Sequence, residues 1–187
     1  MREAIDGLEG AVAAHDLELA HRFVDFRYRL AESLGDLWQD GPESARQDLV
    51  MRLTEMFDDT TEARQALFAG RPMVRSVVRK DGSHVWVESR VATSGEGSKS
   101  FSWLYRLTPR GTTWAITQRE YLVDGMPSDS TRFWPMARRQ VALKLGRAPT
   151  LPELAANLPE VMGRFRIRRL KVPNLDSPSR APTPPTP

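Results

Sequence analysis

The hydrophobic period of this chain switches twice, and those switches limit its fold more than any other feature. From Arg2 to Gly70 apolar residues recur at steps of three and four; from Met73 to Val123 they alternate; beyond Gly125 the helical step returns. In the first block Phe23, Phe26, Leu30, Leu34, Leu37 and Trp38 form one stripe. Leu49, Val50, Leu53, Met56, Phe57, Ala63 and Leu67 form a second, which Pro42 is placed to open and Gly70 to close. The middle block holds four runs, "MVRSVVR", "SHVWVESRVA", "SFSWLYRLT" and "WAITQREYLV", joined by "KDG", "TSGEGSK" and "PRGTT". Such short connections join antiparallel neighbours, so the spacing predicts a four-stranded meander. In the third run Phe101, Trp103, Tyr105 and Leu107 share one face, opposite Ser100, Ser102 and Arg106.

The last block reads as two helices, "SDSTRFWPMARRQVALKLG" and "TLPELAANLPEVMG", with internal prolines at 135 and 159. Thr150 and Glu153 are spaced as a capping box. The basic run "RFRIRRLKV" fits either an edge strand guarded by charge or a helical end. Residues 173–187, "PNLDSPSRAPTPPTP", have the composition of a disordered Pro-rich tail. At 187 residues the chain holds one sizeable core, so residues 1–172 are expected to form a single domain.

Helices, a long meander and closing helices together predict an α+β fold, its sheet curved around the N-terminal helices. Such a cone can enclose an apolar cavity. Candidate lining residues are Leu30, Leu34, Trp38, Leu53, Met56, Phe57, Phe101, Trp103, Tyr105, Trp114 and Ile116, with ordinary core packing the competing reading of each. Met126 joins them as an adaptable contact. Gly35 interrupts a helical pattern at a cost of about 1 kcal/mol relative to alanine. It is expected to admit close approach to the sheet or to clear room for a ligand, so that Gly35→Leu blocks uptake and spares folding. Asp25 follows the same steps as Arg29, Glu32 and Asp36, as a solvated ladder does.

Several chemistries are excluded or unsupported. Without cysteine there is no disulfide, thiolate nucleophile or cysteine-ligated zinc. His15, His21 and His84 lack metal-ligand spacing, and there is no nucleophile motif or glycine-rich phosphate loop. No catalytic residue, metal or cofactor is therefore expected. Were the chain an isomerase or cyclase, Asp25, Tyr28, Tyr105 and Tyr121 would be the candidate groups. The net charge of +3 is modest, but Arg138, Arg139, Lys144, Arg147, Arg164, Arg166, Arg168, Arg169 and Lys171 concentrate it near the C-terminus. That pattern suits a solvated face or an anionic partner; nucleic acid is not expected. No run reaches the ~20 apolar residues of a membrane span. "MREAIDGLEG" lacks the pattern of a signal peptide, which leaves a cytoplasmic location open.

The stretch "VDFRYRLAESLGDLW" resembles the signature helix of the MlaC, or toluene-tolerance, family, in which Val-Asp-Phe is followed by Leu-Gly and an aromatic. "GPESARQDLVMRLTEMF" is similar to that family's second helix, and "WLYRLTPRGTTWAITQREYLVDGMPSDSTRF" to its last hairpin. Gly125-Met126-Pro127-Ser128 stands where the family has Gly-Val-Ser. The resemblance runs from about Phe23 to Leu158. It implies a nuclear-transport-factor-like cone fold and a periplasmic, non-catalytic carrier of phospholipid. The implied partners are an outer-membrane complex and an inner-membrane ABC transporter.

Overall fold

The computed structural model describes residues 1–92, 100–127 and 133–169. Five helices come first: α1 (Arg2–Ala13), α2 (Leu17–His21), α3 (Phe26–Leu34), α4 (Asp36–Gln39) and α5 (Glu43–Phe68). Strands β1 (Met73–Asp81), β2 (His84–Val91), β3 (Phe101–Arg110), β4 (Thr113–Val123) and β5 (Met126–Pro127) follow, then α6 (Phe133–Leu145) and α7 (Leu151–Arg169). This is the α+β order expected, with a two-residue fifth strand added.

The sheet is antiparallel throughout and runs β1-β2-β3-β4-β5 in space. The register shifts between Val77 and Arg79 on β1, and again beyond Arg106 on β3. Bulges of this kind bend a strand and increase its twist. Phe101, Trp103, Tyr105 and Leu107 are all buried, as their alternation requires, although Ser102 on the opposite face is buried too.

The stretch from Arg22 to Trp38 is three pieces, not one helix. At Val24 the chain is extended and pairs with β4: Asp25 N donates to Ile116 O at 2.9 Å, and Ile116 N donates to Phe23 O at 2.9 Å. Asp25 then caps α3, its carboxylate accepting from Tyr28 N at 2.9 Å and from Arg110 Nε at 3.0 Å. The solvated-ladder reading fails because Asp25 caps α3 and pairs with Arg110, and Glu32 pairs with Arg106 of β3. Gly35, at φ +55° and ψ −128°, ends α3 and begins α4.

Helix α5, about 39 Å long at 1.5 Å per residue, buries Leu49, Leu53, Phe57, Thr61 and Leu67. Helix α7 packs against it, and Leu151, Leu154 and Leu158 of α7 are fully buried. The capping box forms at the start of α7, with Thr150 N donating to Glu153 at 2.8 Å. "RFRIRR" continues α7 to Arg169, so the edge-strand alternative is not the one adopted. The connection "TSGEGSK", the segment 128–132 and the tail 173–187 lie outside the described residues. No described helix is long and apolar enough to cross a membrane.

Candidate functional site

A cavity of about 570 Å³ opens between α1, the C-terminal half of α5 and the face of β3 and β4. Its position follows from side-chain size. Leu8 and Val12 of α1 stand one turn apart on one wall; Thr61, Gln65 and Phe68 follow helical steps on the other. Ala13, Ala66 and Ala69 at the mouth are too small to close the gap between the helices, and all three are exposed. Leu8, Thr61, Trp103 and Tyr105 are buried at the base. At the mouth, Gln65 Nε2 donates to Val12 O at 2.7 Å and ties α5 to α1.

The base carries charge. Tyr105 donates its hydroxyl to Glu9 Oε1 at 3.0 Å, and Arg75 of β1 holds both Glu9 and Asp6 of α1. Burial pushes the Tyr105 phenol well above its ordinary range, and the Glu9 charge adds to that. Arg119 pairs with Tyr105 across β3 and β4. Its guanidinium carbon lies 3.7 Å from the Trp103 ring centroid and 4.8 Å from that of Phe57. Nη1 donates to Thr61 Oγ1 at 3.1 Å, while Nε is buried without a partner. Burial lowers the Arg119 pKa to about 10, so it stays cationic at neutral pH. Among the described residues no cluster of His, Asp or Glu could hold a metal ion.

Of the lining residues expected from the sequence, Trp103 and Tyr105 line this cavity. Leu30, Leu34, Trp38, Leu53, Phe57, Phe101 and Ile116 belong to the buried hydrophobic core and do not line this cavity. Met56 and Trp114 are half-buried at its periphery. Gly35 is exposed with open space around it, and Met126 is 72% exposed on β5. Asp25, Tyr28 and Tyr121 do not line the cavity either: Asp25 pairs with Arg110, which covers the Tyr28 ring, and Tyr121 packs between Phe101 and Trp103. Sequence reasoning missed Leu8, Thr61, Gln65 and Arg119. The signals were there: Ile5, Leu8 and Val12 keep helical spacing, and Arg119 alternates with Tyr121 and Val123.

No protein-family profile and no curated protein matches the chain. Its fold is similar to that of a solved phospholipid-binding protein from Ralstonia solanacearum in complex with a phospholipid. The two share 16% identity at a TM-score of 0.63, over 88% of this chain and 96% of that one. Nearly the whole of that structure therefore has a counterpart here, and the chain shares its fold.

Proposed function

We propose that this chain binds lipid, enclosing an acyl chain in the cavity between α1, α5 and the sheet. The observation that carries the reading is the cavity itself: about 570 Å³, largely apolar in its lining and open to solvent. That volume lies within the roughly 300–1,000 Å³ of small-molecule sites. Likeness in fold to a phospholipid-binding protein supports the same reading. The motifs shared with the MlaC family extend it to a phospholipid carrier in the periplasm, working between an outer-membrane complex and an ABC transporter.

A carrier has to release what it binds. At ~0.8 kcal/mol per buried methylene, a chain of about fifteen would gain about 12 kcal/mol, too much for ready delivery from a rigid site. One wall must therefore give way, and α1, held at the cavity by Arg75, Tyr105 and Gln65, is the wall whose contacts have to part. Catalysis is the weaker reading, because Tyr105 is a proton donor to Glu9 with a raised pKa and Arg119 is a cation.

Native mass spectrometry of the purified full chain is expected to show bound lipid, and the protein is expected to move labelled phospholipid between vesicles. Protein that purifies lipid-free and takes up none from vesicles would sink the reading.

A further inference from the structure

The base of the cavity is the wrong place for a guanidinium if only hydrocarbon is to fill it. Arg119 sits among the buried Thr61, Trp103 and Tyr105, and among the described residues its guanidinium donates to the neutral Thr61 hydroxyl and forms no ion pair. Glu9, whose charge acts on Arg119, is already engaged by Arg75 and by the Tyr105 hydroxyl. Arg64 adds a further positive charge nearby. A buried charge lacking an ion-pair partner is costly, and the two flanking rings offset only part of that cost.

We propose that Arg119 receives the carboxylate of a single-chain fatty acid that enters the cavity head first. The inference rests on the lipid-binding reading and names its ligand class. Two observations favour this ligand at Arg119 over the phosphodiester of a phospholipid headgroup. The cation stands at the buried base of the cavity, and its Nε is buried without a hydrogen-bond partner among the described residues. A flat carboxylate suits a guanidinium packed against Trp103 and Phe57, whereas a phosphodiester carries a second ester arm that must find room beside those same rings.

The test uses the delipidated full chain, with sodium oleate, its neutral methyl ester and phosphatidylglycerol vesicles as probes, and tryptophan fluorescence as the readout. Wild type is expected to bind oleate about 10- to 100-fold more tightly than methyl oleate, the range of a hydrogen bond to a charged group. Arg119→Met should erase that preference while still binding the ester; Arg119→Lys should keep part of it. The acid–ester comparison in wild type needs no variant and stands even if one fails to fold. Equal binding of acid and ester by wild type, or an undiminished preference in a folded Arg119→Met protein, overturns the proposal. If phosphatidylglycerol is taken up without any acid preference, the head-first anchor fails and lipid binding survives. If none of the three probes binds, both fail together.

Discussion

A Cβ built at Gly41 would lie 2.8 Å from the Cβ of Leu151 and 2.2 Å from its Cδ2, so the loop before α5 meets the start of α7 with no room for a side chain. Leu151 is fully buried and its Cβ cannot swing aside, so Gly41→Ala should cost about 1–3 kcal/mol by overpacking. Urea unfolding would measure it. Close approach is thus the business of Gly41, and Gly35 has a different one. Nothing lies within 4 Å of a Cβ at Gly35, but φ +55° with ψ −128° is a conformation that L side chains avoid. Gly35→Leu should therefore lose about 1–3 kcal/mol through backbone strain and leave lipid loading of the folded fraction unchanged. That reverses the expectation from sequence, in which this substitution blocked uptake and spared the fold. A folded Gly35→Leu protein that loads no lipid would overturn the present reading.

Among the elements, α7 shows how local chemistry sets a pH response. Glu153 accepts from Thr150 N at 2.8 Å and from Thr150 Oγ1 at 2.9 Å, and it is also held by Arg147. The Arg147 guanidinium first, then the Thr150 bonds, bring its pKa from 4.5 to about 2. A carboxylate so depressed contributes stability above pH 4.5 and loses it as pH falls toward 2. Glu120 on β4 has the opposite sign, since burial raises its pKa; its contribution is present in acid and disappears as pH rises through the folded value. Thermal midpoints measured against pH should therefore fall less steeply in acid for Glu153→Gln, and should rise at neutral pH for Glu120→Gln. The elements themselves were largely legible, because alternation in "SFSWLYRLT" and helical steps in α5 are each imposed by one buried face. The break at Val24 was not, since it is made by a bridge to Ile116, more than ninety residues away in the sequence. The cavity was half legible. Aromatic residues on β3 announced an apolar face, but the hollow lies where Ala66 and Ala69 withhold side chains, and a search for large residues passes over such positions.

At the scale of the molecule, α1 is the wall that the other elements hold in place. Arg75 reaches it from β1, Tyr105 from β3 and Gln65 from α5. Arg75→Ala removes the charged contact to both Asp6 and Glu9, so bound lipid should leave for acceptor vesicles several-fold faster, with the fold retained. An unchanged release rate would move the opening elsewhere. The same wall has a history in time. Glu9 and Tyr105 are 96 residues apart, and at 5–20 residues per second a ribosome needs about 5–20 s to travel between them. Throughout that interval α1 has been made and the strands that complete the hollow have not. On the lipid-binding reading a nascent chain therefore has no hollow to fill, and the buried face of α1 lacks its sheet partner, until β3 and β4 arrive.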